Sequence, residues 1–547
     1  MTPERSHRGP PRRGDRRNPS LFVGDKAGRN LGSRGRCDVG HARLGFFASA
    51  AASRFPKGPR CTSPSSPHTG ARTAPSAPAV ADDLRSLDNA TFEQVIAHAS
   101  GTLACRGVGP GDVVAVLLPN TADLIVTLFA AWRLGAAVTP INPALTADEV
   151  RYQVTDAGSS VLVTDNDRGD GLGAPPLLTC DLGEARTAPV VAAHDDDLAL
   201  LIYTSGTTGR PKGVRLDHAN LSAQCDSVVA ALGLTPTDHS LLILPLFHAN
   251  GIIAGTLSPL LAGGRTTVAG RFRPETFFAQ VEQARPTYFS AVPTIYQMLA
   301  DLPADVRPDT SSIRFGVCGA APASVELLAK VEQRFGFPLV EGYGLSECTC
   351  VATVNPFDGV RKPGTVGPAI PGVTVEVLDA DGARLPAGEA GDVVISGPNV
   401  MRGYLNRPDE TAATLVGGRL RTGDIGFLDE DGYLTLVDRA KDIIIRGGEN
   451  IYPKEIESVV YQLPGVAEAA VVGRPDPKFG EVPVLFVALS EGTPLEPDEI
   501  LAHAAQKLAK YKLPVEITTL PSLPKNAVGK LDKPTLRTRT SPPVAAS

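Results

Sequence analysis

Residues 200–214 read LLIYTSGTTGRPKGV, and the reading of the whole chain turns on this stretch. An apolar strand runs into a loop with three hydroxyls (Ser205, Thr207, Thr208), three glycines (Gly206, Gly209, Gly213) and one lysine, Lys212. Glycines let backbone N–H groups turn toward an anion, hydroxyls add donors, and the lysine adds a point charge. Such a loop suits a polyphosphate. It does not match the Walker pattern G-x-x-x-x-G-K-[ST]. Its composition alone is that of many loops; the ordered string is what points to a ligand.

Working outward from the loop, the upstream chain alternates strand and helix. Helices are expected over Phe92–Leu103, Ala122–Leu134 and Thr146–Asp156, and strands over Asp112–Leu118, Ala137–Ile141 and Ser160–Thr164. That alternation predicts a parallel α/β sheet. A second such series runs from Leu241 to about Gly344. From Gly364 to Val437 short strands are broken by Gly and Asp-Gly turns (Asp381-Gly382, Asp431-Gly432), as in an antiparallel sheet or barrel. After Asp438 a small α+β region ends near Leu536. The expected fold is therefore α/β. Two α/β subdomains and a β-barrel-like subdomain form a large N-terminal domain over 80–438. A small α+β C-terminal domain follows over 439–540, then a tail, 541–547.

The chain has 547 residues, 42% hydrophobic and 20% charged, which excludes collagen-like, disulfide-scaffold and wholly disordered classes. The net charge of −6 joins two unlike pieces: residues 1–80 carry 15 Lys/Arg against 4 Asp/Glu, and the remainder 38 against 55. An acidic body is a poor binder of nucleic acid. Residues 1–79 are rich in Arg, Gly, Pro, Ser and Ala and show no sustained period. They are expected to be a disordered or non-native basic leader, with a targeting leader as the alternative. The eight cysteines are scattered, which suits reduced thiols in the cytoplasm. Residues 239–264 hold no charge and are long enough to span a bilayer. However, His239, Pro245, His248, Asn250, Pro259 and several glycines interrupt them, so a buried strand, loop and helix are expected and no transmembrane segment.

The string YTSGTTGRPKGV resembles the phosphate loop of the adenylate-forming (AMP-binding) superfamily, which includes acyl-CoA synthetases, 4-coumarate–CoA ligases, luciferases and peptide-synthetase adenylation domains. Further segments resemble the family in order. Gly319, Ala320, Ala321 and Pro322 resemble its adenine-side segment. Glu341-Gly342-Tyr343-Gly344-Leu345-Ser346-Glu347 resembles the segment contacting adenine, α-phosphate and magnesium, with Ser346 where threonine is usual. Thr422-Gly423-Asp424 resembles the ribose-binding motif, and Asp438-Arg439-Ala440-Lys441 the interdomain hinge. RGGENIYP, residues 446–453, resembles the loop that enters the site for thioester formation, and PKNAVGK, residues 524–530, the motif of the C-terminal catalytic lysine. The stretch RGGENIYPKEIE looks more like bacterial fatty-acid–CoA ligases than luciferases.

The resemblance implies a two-step reaction. A carboxylate first joins the α-phosphorus of ATP and expels pyrophosphate. The CoA thiol then attacks the acyl adenylate, and AMP leaves. It implies ATP and Mg2+ as cofactors and CoA as cosubstrate. Thr204, Ser205, Gly206, Thr207, Thr208 and Lys212 would hold phosphates, and Thr204 and Glu347 the magnesium. Asp424 would accept the ribose hydroxyls, because an ionised carboxylate only accepts; a turn or cap is its bland alternative. Arg439 would bind ribose or phosphate, unless it is a surface ion pair with Asp438 or Asp442. Lys530, protonated at neutral pH, would bridge the attacking carboxylate and the α-phosphate. Between the steps the small domain swings about Lys441, Lys530 withdraws, and Gly447 and Gly448 approach.

The acyl pocket is less legible. Residues 245–251, PLFHANG, resemble the segment that places an aromatic and His248 near the substrate carboxylate, where His248 gates or polarises unless it is a satisfied buried histidine. Residues 291–296 and 348–352 are expected to line the pocket. An apolar lining favours a medium- or long-chain fatty acid, with an aryl acid as the alternative; Arg271 and Arg273 keep a dicarboxylate open. Transfer to a carrier protein is a second alternative, and an inactive product with a defective N-terminus the non-catalytic one. The sequence leaves the oligomeric state open between monomer and homodimer.

Overall fold

Val113-Val-Ala-Val-Leu117 offers no polar side chain to either face, and all five residues are buried. Strands of this kind need helices on both faces and form parallel sheets. The computed structural model describes residues 66–540 apart from 167–168, 184–187, 189, 192, 205–209, 322, 448, 491, 493–494 and 526–530. Its first sheet orders six strands as 176–178, 161–164, 113–117, 137–140, 198–204 and 212–217. All neighbours are parallel except the last pair. The helices expected around this sheet are present as Asn89–Cys105, Ala122–Arg133 and Ala147–Asp156. The last begins at Thr146, whose side chain and that of Glu149 cap each other's backbone.

A second sheet orders eight strands as 353–354, 339–343, 315–318, 288–291, 239–242, 265–268, 78–81 and 86–88, parallel within and antiparallel at both ends. The uncharged run 239–264 lies inside this subdomain. It makes the strand His239–Leu242, a helical turn Ala249–Ile252, a wide π-type turn Ile253–Leu257 and a turn Ser258–Leu261. A wide turn leaves carbonyls without their usual helical partners. Hydroxyls serve them: Tyr288 donates to Ala254 O at 2.7 Å, Thr256 to Gly251 O at 2.9 Å and Thr266 to Gly255 O at 3.0 Å. Among the described residues no helix is long and apolar enough to cross a membrane.

The Gly364–Val437 region is antiparallel, with strands 374–378, 391–396, 419–428 and 415–416 in order and 434–439 paired to 419–428. The one-turn helix Ala440–Asp442 then leads to the small α+β domain. Its sheet runs 449–451, 444–446, 480–489 and 466–476, with 516–519 added in parallel to 480–489. Two helices, Pro453–Val460 and Pro497–Ala505, contribute Ile456, Val460 and Ile500 to its core.

The expected leader boundary at 80 is corrected. It falls inside the strand Pro78–Ala81, which pairs with 265–268 and 86–88, and a helix, Ser66–Thr73, precedes it. Val80 is buried, and the Asn89 side chain donates to Ala74 O at 2.9 Å. SPHTGART carries no apolar period because this helix is held by packing on Asn89–Cys105 rather than by an apolar stripe of its own. Residues 1–65 lie outside the described residues. The six described cysteines are all free thiols.

Candidate active site

The loop quoted first is the tip of a β-hairpin. Strand Leu198–Thr204 pairs antiparallel with Lys212–Asp217, and Thr204 lies opposite Lys212. Ser205, Gly206, Thr207 and Thr208 lie outside the described residues; the bases of the loop, Thr204 and Lys212, are in place. A segment from the third subdomain lies along the hairpin. Arg215 N donates to Gly403 O at 3.0 Å and Leu405 N to Gly213 O at 2.8 Å. This lays Tyr404 beneath Lys212, whose Nζ stands 5.1 Å from the centre of the Tyr404 ring. The Tyr404 hydroxyl donates to Glu347 Oε1 at 2.8 Å. One tyrosine therefore joins the phosphate-loop lysine to the expected metal ligand.

Glu347 and Ser346 lie on the short turn Ser346–Cys348 that follows strand Leu339–Tyr343. That strand carries Glu341, Gly342 and Tyr343. The turn is tight: a Cβ on Gly344 would lie 2.1 Å from Cys350 O, so only glycine fits. Next to it, a Cβ on Gly319 would lie 3.1 Å from Gly342 O. The adenine-side segment and the 341–347 segment are thus adjacent backbones. Ala320 holds a left-handed φ of 67° there, a conformation that costs an alanine roughly 1 kcal/mol. Ala321 is exposed beside it, and Pro322 lies outside the described residues.

Asp424 is where the third subdomain meets this strand. It is buried, and both its oxygens are engaged. Tyr343 donates its hydroxyl to Oδ2 at 2.5 Å, and Arg439 places Nε 2.8 Å from Oδ1. Arg439 thus pairs with neither Asp438 nor Asp442. Burial disfavours its charge, but Asp424 reverses this and raises the guanidinium pKa. Burial raises the Tyr343 hydroxyl, and Asp424 adds to it. Glu341 is 8% exposed, and burial pushes its carboxyl up to about 7 despite the opposing charge of Lys454.

Glu347 and Thr204 fit magnesium by chemistry. Both are hard oxygen donors, and a carboxylate fixed by Tyr404 is oriented before an ion arrives. Among the described residues no group of three or more His, Cys, Asp or Glu side chains could hold a metal.

His248 is half-buried, its ring 4.7 Å from that of Phe247. Tyr296 is not an acyl-pocket residue. It is fully buried among Phe289, Leu299 and Phe337, and its hydroxyl donates to Val317 O at 3.0 Å. Arg271 is exposed and Arg273 half-buried on the turn before helix Pro274–Ala284. Lys441 is exposed, and its carbonyl accepts from Arg537 at 3.3 Å. Gly447 has a left-handed φ of 61°, and its N–H donates to Phe479 O at 2.7 Å. Gly448 and Lys530 lie outside the described residues.

The AMP-binding enzyme family matches residues 68–405, and its C-terminal domain matches residues 455–530. The chain belongs to the AMP-binding enzyme family. Feruloyl-CoA synthase of Amycolatopsis sp is 38% identical over 477 residues, covering 86% of this chain and 97% of that protein. Long-chain-fatty-acid–CoA ligase of Bacillus subtilis is 33% identical over 495 residues, covering 81% of this chain and 88% of that one. ATP-bound MatB from Rhodopseudomonas palustris superposes with a TM-score of 0.82 at 31% identity, covering 88% of this chain and 99% of that chain.

Sequence reasoning missed two residues of this AMP-binding enzyme. Tyr404 gave no signal, since a tyrosine in RGYLNRP has neither charge nor period. Lys454 gave a faint one. It stands in the first turn of helix Pro453–Val460, where the helix dipole disfavours a cation, so its partner must lie elsewhere.

Proposed function

We propose that this protein is an ATP-dependent, AMP-forming acid–CoA ligase. The observation that carries the reading is Asp424 anchored between Tyr343 and Arg439 beside the backbones of Gly319 and Gly342. This is a preformed acceptor for ribose hydroxyls beside two adjacent glycine-bearing backbones. The phosphates would lie over the hairpin tip, near Lys212. Bound magnesium, held by Thr204 and Glu347, would neutralise phosphate charge and orient the pyrophosphate leaving group. Two anions must meet at the α-phosphorus, and Lys212 and Lys530 supply the cationic charge that makes the encounter favourable.

The small domain supports a two-step cycle. Its long hairpin, 466–476 with 480–489, carries the two loops at opposite ends. Gly480 pairs with both Arg446 and Asp476, beside Gly447. Lys525, at the root of the Lys530 loop, pairs with Glu468 at 2.5 Å. Eight residues of strand separate Asp476 from Glu468, roughly 26 Å at about 3.3 Å per residue. This separation supports the reading that the domain turns between adenylation and thioester formation.

The substrate we infer is an apolar monocarboxylic acid. The greater identity to the feruloyl-CoA synthase than to the long-chain ligase favours an aryl acid over the fatty acid suggested by RGGENIYPKEIE. A panel of aryl, fatty and dicarboxylic acids, assayed for CoA-dependent pyrophosphate release, tests both levels. Turnover of any acid supports the ligase, preference for fatty over aryl acids overturns the aryl choice, and preference for dicarboxylic acids overturns the apolar monocarboxylic class. Thioester formed only on an added carrier protein, and not on CoA, overturns the acceptor.

A further inference from the structure

Arginines gather beside the hairpin that carries Lys212. Arg215 lies on strand Lys212–Asp217, and Arg402 on the segment laid along it. Arg402 N donates to Arg215 O at 3.0 Å, and Arg215 N donates to Gly403 O at 3.0 Å. Their two side chains therefore start from paired backbones and, with Arg407, line one open groove of about 420 Å3. Tyr404, Ala412 and Leu415 also line it. Like charges on paired positions are unfavourable unless something negative lies between them.

The carboxylates that reach these arginines are few. Asp217 is buried; its Oδ1 accepts Asn220 N at 2.7 Å, and its Oδ2 pairs with Arg402 Nε. Glu410 Oε1 stands 4.0 Å from Arg407 Nε, but also 4.0 Å from Lys212 Nζ. Arg215 is exposed, and its side chain makes no hydrogen bond or ion pair among the described residues. The three cations thus have Asp217 and a share of Glu410, which leaves positive charge over. The groove is also tied to the arm of the phosphate loop. The Tyr152 hydroxyl donates to Pro211 O at 3.0 Å and accepts Arg407 Nη2 at 3.1 Å. Arg210 lies 5.5 Å from the centre of the same ring and brings a fourth guanidinium near Arg407. Guanidinium forks match phosphate oxygens in pairs, and several forks around one groove of ligand size match a group with more than one phosphate.

We propose that this groove is a second anion site, separate from the ribose acceptor at Asp424, and that it takes a diphosphate or triphosphate group. The source is free pyrophosphate or a nucleotide from solution. The proposal goes beyond the ligase reading and does not depend on it. The full-length chain is treated with phenylglyoxal, which modifies accessible arginines, and the rate at each arginine is read by peptide mass spectrometry. Pyrophosphate and ATP are compared with sodium chloride at equal ionic strength. Saturating ligand should slow modification of Arg215, Arg402 and Arg407 by about fivefold or more and leave exposed Arg271 unchanged. Protection by pyrophosphate alone assigns the free anion, and protection by ATP alone assigns a nucleotide. Protection by neither, equal slowing at Arg271, or protection confined to Arg439 overturns the groove site. Arg215→Met should raise the ligand concentration that protects Arg402 and Arg407 by several-fold, and Arg215→Glu by about tenfold or more. Unchanged protection in both variants overturns the shared site. Protection of Arg439 by ATP reports the fold of each variant; its absence in the unaltered chain would count against the ligase reading and leave the groove to the other three arginines.

Discussion

Tyr404 donates its hydroxyl to Glu347 at 2.8 Å while its ring lies 5.1 Å from the Lys212 ammonium. The tyrosine is supplied by the third subdomain, the glutamate by the second and the lysine by the first. The three subdomains therefore meet at one phenol, and the Lys212–Tyr404–Glu347 cluster exists only when all are assembled.

Tyr404→Phe tests this meeting point. The variant keeps the ring under Lys212 and removes the donor to Glu347. A hydrogen bond to a charged group contributes about 1.5–3 kcal/mol, so ATP–pyrophosphate exchange should fall by roughly tenfold or more. The magnesium concentration for half-maximal rate should rise with it. Unchanged magnesium dependence would mean that Glu347 is oriented by something other than Tyr404.

Glu341→Gln tests the buried carboxyl. Its pKa rises from 4.5 to about 7 through burial. A carboxylate whose folded pKa is raised binds more protons folded than unfolded. Its contribution to stability is therefore lost as pH climbs from about 4.5 to about 7. The amide cannot ionise, so the variant should gain on the native chain by ~3 kcal/mol between pH 4.5 and pH 8. Urea midpoints at the two pH values measure it. A difference that does not change with pH would place Glu341 in an ordinary environment.

Gly344→Ala tests the tight turn before Glu347. The added methyl would lie 2.1 Å from Cys350 O, a backbone atom that cannot swing aside. Overpacking of this kind costs roughly 1–3 kcal/mol, and ATP affinity should fall as the 344–350 backbone shifts. Denaturant midpoint and nucleotide titration check it. Native stability with native affinity would show that the turn has slack.

Lys530→Ala tests the division of labour between the two ends of the hairpin. ATP–pyrophosphate exchange should nearly vanish, while thioester formation from supplied acyl adenylate persists. Equal loss in both assays would contradict two separate working orientations.

What was legible in the sequence was local. Val113–Leu117 and Ala122–Arg133 follow from apolar runs bounded by Pro119-Asn120 and Gly135, because burial on two faces leaves no polar position in the strand and few in the helix. Gly319, Glu347 and Asp424 were legible through ordered motifs rather than periodicity. Contacts between distant segments were not. Nothing in the sequence places Tyr343 on Asp424, 81 residues away, or Lys454 on Leu436. The helix Ser66–Thr73 was illegible because its stabilisation comes from its neighbour. Tyr296 was misplaced because a tyrosine with one polar atom fits a core as well as a pocket, provided that a carbonyl is near; here it is that of Val317.

The wide turn Ile253–Leu257 has a consequence for how close relatives of this chain could differ. Such a turn holds one residue more than a regular helical turn. Deleting a single residue there would close it to ordinary pitch and leave Ala249–Ile252 in phase with Ser258–Leu261, because an ordinary turn covers the same rotation with one residue fewer. Phe247 and His248, at the head of that helix, would keep their facing. The extra residue is thus one that a one-codon deletion removes without turning the side chains ahead of it.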